Sequence, residues 1–313
     1  MAFQRILVPL DGSPLAEQAI PYARAVAHED GVLFYAQVVP KSEAIHGLTG
    51  GTVATAGEVG TLYNETATVE LKNIAERWVS IAPRYELRIG AGDPAEQILA
   101  LADANACDLI VIASHGRGAL GRWTFGSVAD NLSRKSDVPV MIIRPHDAEV
   151  EVGDIPTFNR VIFPTDGSNI AAEALNEAAL LGKHLQRPVV LMRAIFPEAE
   201  LAPTTGFEAV YAPDVYDSIT KSIEDDAQKS LDAIAQKLRD DGVEVEIALL
   251  HGPAAQTIEE AAKPDDIIVM SSHGRSGFKR WLIGSVAEKL VRTAPCPVVL
   301  VRAPDKDVKP ATS

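Results

Sequence analysis

The chain has 313 residues, of which 47% are hydrophobic and 23% charged, and its formal net charge of -14 corresponds to a pI near 5.0. This length suits two domains of ordinary size, and the composition is typical of a globular protein. The acidic balance argues against binding to nucleic acid or to an anionic membrane surface, because both are negatively charged. No apolar run approaches the ~20 residues of a membrane span, and the N-terminus enters a strand pattern without a signal peptide, so we expect a cytoplasmic protein.

The first predicted elements are a strand, a turn and a helix, and the chain repeats them. An apolar run, Arg5–Leu10, predicts a buried strand, and Ser13 and Pro14 after it are typical of the N-cap and first residue of a helix. The pattern Pro-x-Asp-Gly-Ser recurs 155 residues later, behind a second apolar run, Arg160–Thr165. Each half of the chain therefore begins in the same way.

Strand and helix patterns alternate through both halves. The predicted strands cover residues 5–10, 32–39, 84–89, 109–112 and 138–143, then 160–165, 188–196, 243–250, 267–270 and 296–301. The predicted helices cover 14 to about 29, about 62–80, a segment from 94, and 127 to about 136, then a segment ending near 186, about 215–240, a segment from 253, and 285 to about 293. Because the strands are nearly continuous in Val, Ile and Leu, we predict an α/β fold with a parallel sheet covered on both faces.

The segments between these elements suggest where the domains end. Residues 41–60 and 197–213 are rich in glycine, threonine or proline and are predicted to be long loops. An acidic segment that contains proline separates the two halves. We assign the first domain to residues 1–147, the linker to 148–158, the second domain to 159–303 and a loose C-terminal tail to 304–313.

Two cysteines, Cys107 and Cys296, fall at different points of the repeated pattern. We therefore expect two buried thiols rather than a disulfide or a shared metal site. No group of His, Cys, Asp and Glu has the spacing of a zinc site, so the sequence predicts no metal-ligating residues.

The longest internal repeat is the stretch Ser114–Ala129, which returns as Ser272–Ala287 with ten of sixteen positions identical. Each copy follows an apolar strand pattern and precedes a predicted helix that opens at a Gly-Ser pair. A strand, a glycine-containing loop and a helix start are the arrangement in which backbone N–H groups converge on an anion. The repeat therefore predicts two anion-binding loops.

The charges in these two windows agree with an anionic ligand. No carboxylate lies between Asp108 and Asp130, or between Asp266 and Glu288, although both windows contain arginines. In a chain of net charge -14, two acid-free basic windows at matching places favour a phosphate-containing ligand. The alternative is a tight loop whose arginines are simply solvated.

Other nucleotide and catalytic motifs are not supported. The stretch Gly116–Gly121 fits G-x-G-x-x-G, but it follows the fourth predicted strand, whereas a dinucleotide fingerprint follows the first; its second copy also lacks two of the glycines. There is no P-loop motif and no G-x-S-x-G elbow, so we predict no catalytic residues.

Several side chains near the predicted site allow two interpretations. Asp11 and Asp166 could accept hydrogen bonds from an adenine amine or a ribose hydroxyl, approach a metal on the phosphates, or merely form a turn. His115 and His273 could donate to phosphate or fix the loop by hydrogen bonds to backbone. Trp123 and Trp281 could be packing anchors for the loop or platforms on which a ring stacks. Ser127 and Ser285 could cap the helix, bind a phosphate, or do both.

These motifs together resemble the universal stress protein family, over about residues 2–147 and 158–303. The family's pattern is glycine, two residues, a second glycine, nine residues, then glycine and Ser/Thr. Here Gly116 is followed by nine residues and Gly126-Ser127, and Gly274 by nine residues and Gly284-Ser285. The first glycine of the pattern is replaced in both halves, by Ala113 and by Ser271.

The resemblance implies a fold, a ligand and a set of contacts. The fold is Rossmann-like, with two tandem open five-stranded parallel sheets of strand order 3-2-1-4-5. The ligand is ATP, with Mg²⁺ as a companion ion. The implied nucleotide-binding residues are Pro9, Asp11, Val38, Ala113, Gly116, Arg117, Gly126 and Ser127 in the first domain, and Pro164, Asp166, Ile195, Ser271, Gly274, Arg275, Gly284 and Ser285 in the second.

The resemblance also implies how the chain assembles and works. Members of the family pair through their last strands, so the two domains would form a pseudo-dimer within one chain, with further homodimerisation open. The implied role is regulatory or stress-protective, with nucleotide occupancy as the signal. Two alternatives stay open: an interaction module of the same fold without nucleotide, and an enzyme such as a slow ATPase or an adenylyl transferase.

Overall fold

The computed structural model describes residues 3–41, 56–114, 125–144, 154–167, 172–196, 213–272 and 283–302. The chain divides into two compact units, Met1–Thr157 and Phe158–Ser313, here called unit 1 and unit 2. Each unit alternates parallel strands with helices, which confirms the predicted α/β class.

Unit 1 contains a five-stranded parallel sheet of order β3-β2-β1-β4-β5. Its described elements are β1 (Phe3–Pro9), α1 (Pro14–Glu17), α2 (Ala19–Val26), β2 (Ala27–Val39), α3 (Ala56–Trp78), β3 (Tyr85–Ala91), α4 (Pro94–Ala104), β4 (Leu109–Ala113), α5 (Ser127–Lys135) and β5 (Val140–Ile143). The order reverses between β1 and β4, so their carboxyl ends flank a crevice where such sheets bind ligands.

Unit 2 repeats this order as β8-β7-β6-β9-β10. Its described elements are β6 (Arg160–Pro164), α6 (Ala172–Leu185), β7 (Val189–Ile195), α7 (Pro213–Asp240), β8 (Val245–His251), α8 (Ala254–Ala261), β9 (Asp266–Ser271), α9 (Ser285–Thr293) and β10 (Val298–Val301). The order of strands in both units confirms the fold that the resemblance implied.

The central strands form the core of each unit. In unit 1 the side chains of Ile6, Leu7 and Val8 on β1 have no exposed surface, and neither have those of Val161 and Ile162 on β6 of unit 2. Consecutive buried residues are expected when helices cover both faces of a parallel sheet. Cys107 and Cys296 are also buried, and both are free thiols, as predicted.

The largest difference from the predicted elements lies between the first helix and the second strand. The helix was expected to continue to Glu29, but α2 ends at Val26 and β2 begins at Ala27, which pairs with Phe3. The register then shifts before Arg5 pairs with Val32. A Cβ on Gly31 would lie 3.0 Å from the carbonyl oxygen of His28 and 3.2 Å from that of Phe3, so the chain needs glycine here.

Candidate functional site

A cleft of about 330 Å³ lies at the carboxyl ends of β1, β2 and β4 in unit 1. Its walls come from the strand ends, the first residues of α5, and Pro94 and Ile98 on α4. The structure brings together six of the predicted site residues in this cleft: Pro9, Asp11, Val38, Ala113, Gly126 and Ser127. The lining is mainly apolar and has few polar groups, as is usual for sites that bind small molecules.

The turn after β1 places Asp11 at the cleft. Leu10 N–H donates to the carbonyl of Ala36 over 2.8 Å, which extends the pairing past the end of the strand. Gly12 has φ +79°, a left-handed conformation that favours glycine, and Asp11 Oδ1 accepts from Ser13 N–H at 3.0 Å. Asp11 therefore both shapes the turn and lines the cleft, so the two interpretations of this residue are compatible.

The start of α1 is capped as the sequence predicts. Ser13 is the N-cap, and its Oγ accepts a hydrogen bond from Ala16 N–H at 3.2 Å. Pro14 is the first helical residue. The cap therefore fixes the point at which α1 begins, directly after the turn that carries Asp11.

Ser114 joins the end of β4 to the start of α5, a role that sequence reasoning missed. Its N–H donates to Ile143 O at 2.9 Å, and its Oγ accepts from Gly126 N–H at 3.2 Å. The residue is 2% exposed and lines the cleft. The available signal was that Ser114 is the first residue of the repeated stretch, where Ser272 is its counterpart.

The start of α5 faces the cleft without a side-chain cap. Gly126 is the N-cap residue, with φ -65° and ψ 144°, and Ser127 is the first helical residue. The capping interpretation of Ser127 is therefore wrong, because the cap position belongs to the glycine before it. The first N–H groups of a helix have no acceptor within the helix, and together they attract negative charge.

Unit 2 has the same framework at the matching positions. Gly167 has φ +78°, and its N–H donates to Thr165 Oγ1 at 3.1 Å, so Thr165 helps to hold the turn that carries Asp166. Gly284 is the uncapped N-cap residue of α9, and its N–H donates to the carbonyl of Ser272 at 2.8 Å. Ser285 is accordingly the first helical residue and, like Ser127, not the cap.

The ends of the unit 2 strands also place predicted residues at corresponding points. Pro164 ends β6, as Pro9 ends β1. Ser271 ends β9 and pairs with Val301, as Ala113 ends β4 and pairs with Ile143.

The strand register changes one predicted equivalence. Pro9 pairs with Ala36 on β2, and Pro164 pairs with Met192 on β7. Counting two residues onward, the counterpart of Val38 is Ala194, and Ile195 is instead the counterpart of the buried Val39. Val38 and Ala194 are both half-buried, whereas Ile195 has no exposed surface. We therefore move the implied nucleotide-binding position at the end of this strand in unit 2 from Ile195 to Ala194.

The two turns differ in the charges beside them. In unit 1, Glu70 Oε2 lies 3.5 Å from where a Cβ of Gly12 would be, and it accepts from Gln37 Nε2 at 2.8 Å. In unit 2, Arg193 Nη1 lies 3.0 Å from the corresponding point on Gly167. One turn therefore has a carboxylate beside it, and the other has a guanidinium.

Other predicted residues lie outside the described part of the chain. They are Gly116, Arg117, Gly274 and Arg275 of the implied site, and His115, Trp123, His273 and Trp281 of the repeated loops. Within the described ranges, no group of three or more His, Cys, Asp or Glu side chains is arranged to hold a metal ion. Nor does any helix in those ranges combine the length and apolar character needed to cross a bilayer.

Comparison with known proteins identifies the family. The model of the universal stress protein family matches residues 2–144 and again 157–302. A universal stress protein of Mycobacterium tuberculosis strain H37Rv is 26% identical, and the alignment covers 98% of this chain and 97% of that protein. Another, from Methanocaldococcus jannaschii, is 30% identical over 48% of this chain and 85% of its own length.

A solved structure shows the same fold. The crystal structure of a universal stress protein from Archaeoglobus fulgidus covers 95% of this chain, and this chain covers 98% of that one, with a TM-score of 0.67 and 20% identity. At this identity the likeness concerns the fold alone. Because two successive matches of the family model account for nearly the whole sequence, the chain belongs to the universal stress protein family and carries two of its domains in tandem.

Proposed function

We propose that each unit binds an adenine nucleotide, with ATP as the ligand, in the cleft at the carboxyl ends of its strands, and that occupancy regulates the protein. One observation carries this proposal. In unit 1 the carboxylate of Asp11, the end of β2 at Val38 and the uncapped start of α5 at Gly126 surround a single cleft with largely apolar walls.

The three parts of the cleft match the three parts of a nucleotide. Apolar walls suit the faces of an adenine ring, and a carboxylate can accept hydrogen bonds from ribose hydroxyls or from the adenine amine. The N–H groups at the start of α5 suit phosphate oxygens. A volume of about 330 Å³ falls at the lower end of the range for small-molecule sites.

The replaced glycines of the family pattern are compatible with this proposal. Ala113 and Ser271 are the last residues of β4 and β9, where each pairs with a neighbouring strand. An extended strand conformation suits any L-residue, so neither position needs the backbone freedom of glycine. Both side chains are also small, which leaves room for a ligand at the end of the strand.

Calorimetric titration of the full chain with ATP, with and without Mg²⁺, tests the proposal. We expect saturable binding, and we expect Asp11→Ala and Asp166→Ala each to weaken one site by about 10- to 100-fold, the effect of losing a hydrogen bond to a charged group. Matched controls are Asp103→Ala and Asp226→Ala, which remove exposed carboxylates on α4 and α7. The controls should bind like the wild-type chain.

Two results would contradict the proposal. An absence of binding heat, together with purified protein that has no adenine absorbance, would favour an interaction module without nucleotide. ATP turnover above buffer blanks that is lost in the Asp11→Ala/Asp166→Ala double variant would make the protein an enzyme rather than a binding regulator.

Two further expectations stay predictions. They are the pairing of the last strands of the two units, with or without homodimerisation, and the cytoplasmic location. Light scattering on the full chain gives the number of chains per particle, and cell fractionation gives the location.

A further inference from the structure

We propose that the two nucleotide sites are electrostatically unequal, and that Arg193 makes unit 2 the site that ATP fills first. The inference rests on the proposed function, since it concerns the charge of the same ligand. It is carried by the groups beside the two Asp-Gly turns, where unit 1 has Gln37 and Glu70 and unit 2 has Arg193 and Ser230.

These four residues occupy equivalent positions in the two units. Gln37 follows Ala36, the partner of Pro9, and Arg193 follows Met192, the partner of Pro164. On the helices, Glu70 of α3 and Ser230 of α7 each precede a leucine with no exposed surface, Leu71 and Leu231. The two units therefore use the same positions with opposite charge.

In unit 1 these positions carry negative charge and an extra acceptor. Glu70 Oε2 lies 3.5 Å from the Cβ position of Gly12, one residue from Asp11. Gln37 donates its amide N–H to this carboxylate, while its Oε1 is buried and has no hydrogen-bond partner among the described residues. The Glu70 carboxylate therefore faces the back of the turn, and its potential disfavours an anionic ligand.

In unit 2 the same space holds a cation. Arg193 Nη1 lies 3.0 Å and Cζ 3.6 Å from the Cβ position of Gly167, and Ser230 Oγ lies 3.3 Å from it. The guanidinium is half-buried, so water screens its charge only in part. Its potential offsets that of Asp166 and favours phosphate in the adjoining site.

The size of the effect depends on the charge of the ligand. With the dielectric constant of a protein surface and a separation of about one Debye length between the protein charge and the phosphates, one protein charge changes affinity by about twofold to fivefold per unit of ligand charge. ATP carries more charge than AMP, so unit 2 should favour ATP over AMP more strongly than unit 1 does. The difference should shrink at high salt, because salt screens partly exposed charges.

Reciprocal substitutions in the full chain test the inference. Arg193→Gln with Ser230→Glu gives unit 2 the groups of unit 1, and Gln37→Arg with Glu70→Ser does the reverse. The unit 2 exchange is combined with Asp11→Ala, and the unit 1 exchange with Asp166→Ala. Each combination weakens binding in the other unit, so that calorimetry measures the affinity of the exchanged site. ATP, ADP and AMP are titrated at low and high NaCl, with Glu76→Ser on α3 and Lys237→Gln on α7 as exposed charge controls.

We expect the unit 2 exchange, which changes the protein charge by two units, to weaken ATP binding by at least about tenfold, to weaken AMP binding less, and to lose most of this effect at high salt. The unit 1 exchange should strengthen ATP binding, which a merely damaged fold cannot do. Saturable binding with equal affinities that neither exchange alters would overturn the inference and leave the proposed function intact. A chain that binds no nucleotide at either site would overturn both.

Discussion

Asp108 in unit 1 and Asp266 in unit 2 precede or begin the fourth strand of their units, yet they make different contacts. The carboxylate of Asp108 accepts two backbone hydrogen bonds, from Gln4 N–H at 2.7 Å and Arg5 N–H at 3.0 Å. The carboxylate of Asp266 pairs with the guanidinium of Arg160, at 2.6 Å and 2.9 Å, and also accepts a backbone hydrogen bond from Lys263 N–H at 2.8 Å.

The arginines differ accordingly. Arg5 donates its Nε–H to the carbonyl of Asn105 at 2.6 Å, and its guanidinium lies 4.8 Å from the centre of the Phe34 ring. Arg160 holds Asp266, whose side chain has no exposed surface. The same fold at the amino ends of the strands is therefore compatible with a carboxylate held by backbone hydrogen bonds or with one that adds an ion pair to such a bond.

The largest expected effect comes from removing these carboxylates. Asp266→Ala leaves the Arg160 guanidinium without its partner and should lower the free energy of unfolding of unit 2 by about 3–5 kcal/mol. Asp108→Ala removes hydrogen bonds to two backbone amides and should cost unit 1 about 1–3 kcal/mol. Hydrogen exchange of peptides from β6 and β9, and from β1 and β4, measures the two effects separately.

Asp241 is exposed, so Asp241→Ala is the control for the effect of removing a surface carboxylate on the free energy of unfolding. Equal losses in the two units would show that the ion pair and the backbone contacts stabilise the fold to the same extent, and the contrast drawn above would not hold.

The two cysteines give the next effect, which depends on pH. Burial raises the pKa of Cys107 to about 11 and that of Cys296 to about 12. An unfolded thiol has a pKa near 8.5, so the native state favours the neutral form. This stabilisation is complete below about pH 8.5 and falls as the pH rises, by up to about 1.4 kcal/mol per pH unit for each thiol.

Urea unfolding at pH 7.5, 9 and 10 measures how the free energy of unfolding falls as the pH rises. This fall should be steeper for the wild-type chain than for Cys107→Ala or Cys296→Ala, and it should be shallowest for the double variant. The slope is the readout, because the lost packing of the thiols affects all pH values alike. Identical slopes in all four proteins would mean that the unfolded thiols do not ionise before the native ones.

The smallest expected effect concerns two ion pairs on equivalent helices. Arg134 binds Asp130 on α5 through two hydrogen bonds, at 2.8 Å and 3.0 Å, whereas Arg292 binds Glu288 on α9 at 3.0 Å. The first pair is also less exposed. Double-mutant cycles to alanine should give coupling energies of about 0.5 kcal/mol for α5 and less for α9. A larger coupling energy in α9 would mean that the second hydrogen bond between Arg134 and Asp130 does not strengthen the ion pair in α5.

Much of the fold could be predicted because the core strands are continuous apolar runs between helices, a pattern that needs no distant information. The end of α2 could not be predicted, because the sequence pattern of the alanine-rich segment continues to resemble a helix beyond Val26. What ends it is non-local: Ala27 pairs with Phe3, and Arg24 donates to the carbonyls of His28 and Ile81. The Ala27–Phe3 pairing spans 24 residues and the Arg24–Ile81 hydrogen bond spans 57, and contacts this far apart along the chain leave no local signal.

The site residues could be predicted where the two halves of the chain repeat the same motif. The prediction failed where the halves differ in length. The resemblance implied Val38 and Ile195, which each lie two residues before a proline, Pro40 or Pro197. The strand pairing shows that these prolines are not equivalent, since Pro40 corresponds to Phe196. Nor could sequence have placed Arg193 beside Gly167, because that contact depends on the twist and register of the sheet.

The start of α5 has a consequence for how the protein responds to its surroundings. Elsewhere in unit 1, Ser13 caps α1 and Asp93 caps α4 through side-chain oxygens, but Gly126 offers no such oxygen. Relative to Ser, Thr, Asn or Asp, a glycine at the N-cap costs a helix only a few tenths of a kcal/mol, and it provides no side-chain acceptor. A phosphate group bound at this point, as proposed above, would supply the acceptor oxygens that the cap residue lacks. Under that proposal, the first turn of α5 becomes more stable when the site is filled.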